Sequence, residues 1–318
     1  MSTSRAAPIH HLKLMAFDHR HSLERSLLGL SAPPTPEETE FIRTLKSLIY
    51  TGFRLALRTG AERAGAGILV DEHYGADVAR SALEDGPLLA LSVERSGQDE
   101  FDFEYGDTFG AHIDTFDPAF IKVQVRYNPE GESELNARQT ERLARLSGWL
   151  QERGRRFLCE LRLPTSPTEQ LEVLEGSTDR YESEVRVAHL VRAMHELQTG
   201  GVNPDVWMVE GLERPADCLR VARQARAGER ESVACVMRDG PTTWERLERC
   251  LNVAGTTPGF IGFAIGRALW WEPVRALHHG QLTAAEAAQR ICDNYQRAQI
   301  TWNRASLLSP YQEAAAPN

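Results

Sequence analysis

Short apolar runs alternate with longer amphipathic stretches along most of the chain. Phe120–Tyr127 (FIKVQVRY) is the clearest run: Ile121, Val123 and Val125 are β-branched, Asp117-Pro118 bounds it, and its length favours strand over helix. His11–Phe17, Ala66–Val70, Pro87–Val93, Arg156–Leu163 (broken by Pro164), Asp205–Val209, Ser232–Met237 and Gly259–Phe263 read the same way. Helical periodicity lies between them. One helix runs to about Leu57 from a cap at Thr35 or Thr39, and another spans 133–152 with Leu135, Leu143, Leu146, Trp149 and Leu150 on one face. Val185–Gln198 carries Val187, Leu190, Val191, Met194 and Leu197 and stops at Gly200-Gly201, and 242–254 is a further helix. The acidic, aromatic stretch from Val93 to Phe116 is read as an irregular cover for a pocket mouth.

Eight strands with about eight intervening helices predict parallel pairing and a single (β/α)8 barrel, the class α/β. An open doubly wound sheet is the alternative, but no GxGxxG follows the first strand to give it its usual dinucleotide site. Residues 1–308 are expected to form this one domain, with an extra helix, Leu282–Trp302, packed outside the barrel and 309–318 as a disordered tail.

Lys122 is the anomaly in the pattern. An unpaired ammonium in a strand buried on both faces is costly, so the lysine must reach a wet cavity or lose its charge. Glu160 poses the same question in strand five, and Asp18-His19-Arg20-His21 follows strand one, where α/β proteins place their chemistry. Only three lysines occur, Lys13, Lys46 and Lys122, and guanidinium cannot form an imine, so each lysine matters individually.

The net charge of −9, with acids and arginines evenly scattered, offers no basic stripe for nucleic acid. Nothing at the N-terminus resembles a signal peptide and no apolar run approaches the thickness of a bilayer, so a cytoplasmic protein without membrane contact is expected. Cys159, Cys218, Cys235, Cys250 and Cys292 are odd in number, dispersed and without a CxxC pair, which fits reduced packing residues.

Six segments, AFDHR at 16–20, LVDEHYG at 69–75, IKVQVRYNP at 121–129, FLCELRLPTSP at 157–167, AMHELQTGGVNPDVWMVEGLE at 193–213 and GFIGFAIGRALWWEP at 259–273, resemble one family. It is the uncharacterised-domain family of the aldolase-like C-terminal region of the bacterial inositol-catabolism kinase, similar in turn to tagatose-bisphosphate aldolase, a class I aldolase. The resemblance covers nearly the whole chain, without a kinase half. It implies that Asp18, Lys122 and Glu160 are the family's acidic and basic residues on strands one, four and five, and that Arg267 after Gly266 holds a phosphate. The imine-forming lysine is expected in a W-K-x-E-G motif, yet this sequence has Trp207-Met208-Val209-Glu210-Gly211, which puts Met208 at the nucleophile position.

Methionine has no amine, so a Schiff base cannot form there. Lys122 is then either a relocated imine lysine, a protonated cation for a substrate oxygen or phosphate, or a Lys–Glu tie between strands four and five. Asp18 and Glu160 are candidate acid/base groups, or members of a satisfied ionic cluster. Arg267, Gly266 and Gly240, with helix-start amides, suit an anion site that Arg238 and Arg126 would extend. Trp207, Trp270 and Trp271 read as packing. His19, His21 and His73, with Asp18 and Glu72, form a weaker metal alternative in which a divalent ion replaces the lost imine as electron sink.

The reading is a class I aldolase-like lyase, or a related enolising enzyme, for a phosphorylated or otherwise anionic sugar or keto acid. It has no cofactor, and self-association is possible. The alternative is a catalytically silent binder of a sugar phosphate or a partner.

Overall fold

The computed structural model describes residues 9–163, 185–240 and 243–309. Its eight strands are β1 (Leu12–Ala16), β2 (Ala66–Asp71), β3 (Leu88–Ser92), β4 (Phe120–Arg126), β5 (Phe157–Arg162), β6 (Val206–Glu210), β7 (Ala234–Arg238) and β8 (Phe260–Ile265). They close into one barrel in sequence order, every neighbouring pair parallel, with β8 pairing back onto β1 through Leu12↔Gly262 to Met15↔Ile265. All eight runs of the sequence pattern are strands, shifted by one or two residues at their ends. The acidic segment after Pro164 and the end of the chain beyond 309 lie outside the described residues, as does Pro164 itself.

Period-two alternation sorts each strand into two faces. Leu12, Leu14 and Ala16, Leu69, Ala90, Phe120, Leu158, Val206, Met208, Val236 and Ala264 fill the barrel interior as one apolar plug. The alternate residues, such as Met15, Ile68, Ile121, Val123 and Trp207, join the larger core between strands and helices. The same alternation carries Lys122, two residues beyond Phe120, and Glu160, two beyond Leu158, into the barrel immediately above the plug.

The helices are α1 (Pro36–Thr59), α2 (Glu72–Asp85), α3 (Phe109–Phe116), α4 (Ser133–Glu152), α5 (Arg186–Thr199), α6 (Pro215–Ala225), α7 (Trp244–Thr256), α8 (Arg267–His278) and α9 (Ala284–Leu307). Thr35, not Thr39, caps α1: its hydroxyl accepts from Glu38 N–H while the Glu38 carboxylate accepts from Thr35 N–H at 2.8 Å. Thr283 and Glu286 repeat this capping box at α9. That last helix packs outside the barrel, as expected: Tyr295 donates to the Lys13 carbonyl at 2.8 Å and its ring meets Phe53 edge-on.

The stretch from Glu94 to Phe116 is more ordered than its composition suggests. An antiparallel bridge joins Glu94 to Phe103, Glu104 N–H bonds the Val93 carbonyl at 3.0 Å, and α3 follows, its Phe109 stacked on Phe103. A run of acids and aromatics hides this because the packing comes from aromatics and the single aliphatic Ile113 at irregular spacing. Gly262 is required for closure, since a Cβ there would run into the Leu12 carbonyl. Among the described residues no helix is long and apolar enough to cross a membrane, and the five cysteines are free and buried.

Candidate active site

The carboxyl ends of the strands surround a cavity of about 230 Å³, with Asp18, Glu94, Glu160, Met208, Arg238 and Arg267 among its lining residues. Immediately beneath it, Lys122 is 1% exposed. Its ammonium contacts three carboxylates: Asp18 Oδ2 at 2.6 Å, Glu94 Oε1 at 2.9 Å and Glu160 Oε2 at 2.9 Å. Lys122 therefore neither opens onto water nor gives up its proton. Burial favours the neutral amine, but the charges of Asp18, Glu160 and Glu94 override it and push the ammonium well above the ordinary lysine range. The tie between strands four and five exists as Lys122–Glu160, within a larger cluster.

Three acids around one cation are not equivalent. Burial works against ionising Asp18, yet Lys122 and His19 hold its carboxyl down to about 2. Glu160 is also lowered against its burial, by Lys122 and then Arg238, whose Nε lies 3.3 Å from Glu160 Oε1. Glu94 moves the other way: burial raises it, and the neighbouring Asp18 charge adds to the effect. Its Oε1 takes the lysine, while its buried Oε2 has no hydrogen-bond partner among the described residues. Of the three, Glu94 is the carboxyl that takes up a proton most readily, and environments that push neighbouring acids apart mark acid and base roles.

Glu94 was absent from the sequence-based candidates because it follows β3 at the head of a stretch read as irregular. The available signal was its place, two residues beyond Ser92, where alternation again points into the barrel. Arg20 fixes this segment, donating to the Glu94 carbonyl at 2.5 Å and to Glu104 Oε2 at 2.8 Å. Lys46, from α1, is a second buried lysine. It bonds the Phe17 carbonyl and pairs with Asp71, which supports the strand end carrying Asp18 from behind.

Among the described residues, the cavity arginines divide into those with ion pairs and those without. Arg238 is committed to Glu160 and, at 2.9 Å, to Glu210. Arg126 pairs with Asp99 at 2.5 Å. Neither is an uncommitted anion ligand. Arg267 lines the cavity and makes no ion pair among the described residues, and the same holds for Arg162, which sequence reasoning missed and which bonds only Gln124, at 3.2 Å. Burial, then the neighbouring Arg238 charge, lower the proton affinity of Arg162, so an added anion would relieve both costs.

Gly240 lines the cavity, and a Cβ there would strike the Glu210 carboxylate. Two of the helix-start amides expected to face an incoming anion are taken within the chain: Gly266 N–H donates to Asp239 Oδ1 and Ala268 N–H to Asp239 Oδ2, each at 2.9 Å.

His19 lines the cavity edge-on to Trp270, and burial lowers its proton affinity. His21 is half-exposed, and His73 packs against Tyr74. Among the described residues no three His, Cys, Asp or Glu side chains converge as a metal-ligand set. Trp207 and Trp270 are fully buried, Trp270 donating to the Ala16 carbonyl at 2.9 Å, as packing residues do. Met208, 3% exposed, stands beside Glu160 in register and contributes a thioether to the cavity wall.

The closed parallel barrel shares its fold with fructose-bisphosphate aldolases. The Plasmodium falciparum fructose-bisphosphate aldolase, solved in complex with TRAP and a small-molecule inhibitor, superposes with a TM-score of 0.63 at 14% identity, over 92% of this chain and 91% of that one. A structural-genomics target from Corynebacterium glutamicum gives 0.58 at 15%, over 92% and 86%. A Schiff base forming fructose-1,6-bisphosphate aldolase gives 0.51 at 14%, over 89% and 94%. The chain belongs to the family DUF2090, described as an uncharacterized protein conserved in bacteria, whose sequence profile matches residues 1–306. No curated protein matches the sequence.

Proposed function

We propose that the chain is an enolising enzyme of the aldolase-like kind, acting by proton transfer beside the carbonyl of an anionic sugar or keto acid, with carbon–carbon cleavage as the retro-aldol form of the same chemistry. The observation that carries this reading is the single buried ammonium shared by three carboxylates of opposed proton affinity beneath an arginine-lined cavity. Asp18 or Glu160, held ionised, removes a proton from the carbon next to the carbonyl. The electron pair moves onto the carbonyl oxygen, which takes the proton of Glu94, and the product is an enol, or an enediol where the deprotonated carbon carries a hydroxyl. Lys122 acts through the carboxylates as a positioning residue, since it lies beneath them and its amine stays protonated. Arg267 and Arg162 hold the substrate's anionic group. The likeness to the aldolase-like region of the inositol-catabolism kinase, and to tagatose-bisphosphate aldolase, supports a sugar-derived substrate.

The test is hydrogen exchange with solvent. A panel of keto acids and keto-sugars is incubated with the protein in D2O and followed by NMR. Deuterium entering next to the carbonyl is expected for at least one compound, falling about 100-fold or more in Glu94→Gln. No exchange with any of them would favour the second reading, a catalytically silent binder. Met208 supports that reading, because the family resemblance places an imine lysine where this chain has none. Borohydride trapping separates the mechanisms: no adduct is expected on the wild type, whereas an adduct on Lys122 would restore relocated imine chemistry.

A further inference from the structure

The anion site contains its own anion. Asp239, the residue after β7, spans the start of α8 with both carboxylate oxygens, so two of the N–H groups that would receive a phosphate, those of Gly266 and Ala268, are already bonded. Gly266 keeps this arrangement tight: a Cβ there would lie 2.9 Å from the Ala16 carbonyl oxygen and from His19 Cε1. Asp239 lines the cavity and has no lysine or arginine ion pair among the described residues; Arg238 donates to its backbone carbonyl, not to its carboxylate. Its charge therefore acts on whatever enters. A phosphate dianion would meet that repulsion twice over and would find the Gly266 and Ala268 N–H groups already engaged. The guanidinium groups of Arg267 and Arg162 remain; either anion can fit their fork, but a carboxylate brings a single charge to set against Asp239.

We propose that Asp239 makes the cavity selective for carboxylates over phosphates, so that the substrate is a keto or sugar acid held through Arg267 and Arg162. This deepens the proposed function by naming the substrate class, and it rests on that reading only in taking the cavity as the substrate site.

The test measures binding by isothermal titration to the full chain, with D-gluconate as the sugar acid and D-glucitol 6-phosphate as the sugar phosphate. The wild type is expected to bind gluconate about tenfold more tightly or better. Asp239→Asn should tighten the sugar phosphate by about tenfold while changing gluconate by less than about threefold. Asp239→Ser, whose hydroxyl still caps α8, should do the same and serves if the asparagine variant folds poorly. Arg267→Gln should weaken gluconate by about tenfold.

Equal or tighter binding of the phosphate by the wild type, no binding of gluconate, or an unchanged preference in both Asp239 variants would overturn the proposal. Since no readout depends on turnover, selectivity without any hydrogen exchange would remove the enzymatic reading and leave this one standing. Exchange without selectivity would do the reverse.

Discussion

At the scale of single residues, Asp18 and Glu94 share one ammonium yet should respond to pH with opposite signs. Asp18 has a folded-state pKa of about 2 against 3.8 for the free group, so it contributes stability above pH 4 that is lost as the pH falls toward 2. Asp18→Asn should therefore cost about 2 kcal/mol at neutral pH and flatten the acid limb of the unfolding curve. Glu94 is raised, so its folded form binds a proton more tightly than the unfolded chain and its contribution falls as the pH rises past 4.5. Glu94→Gln should leave stability at pH 7 unchanged or increased, while removing the proposed proton transfer. Denaturant unfolding followed across pH checks both, and a loss of more than about 2 kcal/mol at pH 7 in Glu94→Gln would show that the glutamate is held as a structural anion. Met208→Lys places an amine beside Glu160 in the cavity wall. If the remaining constellation can support imine chemistry, this variant should be trapped by borohydride with a keto-sugar where the wild type is not.

At the scale of elements, legibility followed periodicity. The strands could be read because β-branched runs of strand length are bounded by turn residues, and the 133–152 helix was placed to the residue. Lys122 and Glu160 stood out because each interrupts such a run. Glu94, Arg162 and Asp239 did not, for reasons of context. Glu94 opens a segment whose α3 and isolated bridge have no clean period, while Arg162 and Asp239 are charged residues at strand ends, where charge is ordinary. What distinguishes those two is the partner each has or lacks, and that is a property of the fold. Two substitutions test the elements directly. Thr35→Ala removes the hydroxyl half of the α1 capping box and should cost about 1 kcal/mol. Gly262→Ala sets a methyl against the Leu12 carbonyl where β8 closes onto β1 and should cost about 3 kcal/mol. A thermal-melting comparison in which the cap variant proves the worse of the two would contradict this account of closure.

At the scale of the whole molecule, the barrel, its plug and its outer helix form one support for the lysine cluster. Ile291, Tyr295 and Trp302 of α9 are buried against the rest of the chain, so a chain ending before Thr283 would expose a broad apolar face and is expected to lose cooperative unfolding, measurable by circular dichroism. The intact barrel raises one question above the others, whether Lys122 is a permanent cation or a reactive amine. With only three lysines, the protein is suited to NMR of ε-¹³C-labelled lysine. Burial lowers Lys46, whereas the three carboxylates raise Lys122, so the Lys122 signal should keep its ammonium shift well past the ordinary lysine range and lose it after Lys46 does. A Lys122 signal that titrates near neutral pH would show a nucleophilic amine in place of the fixed charge and would contradict the account.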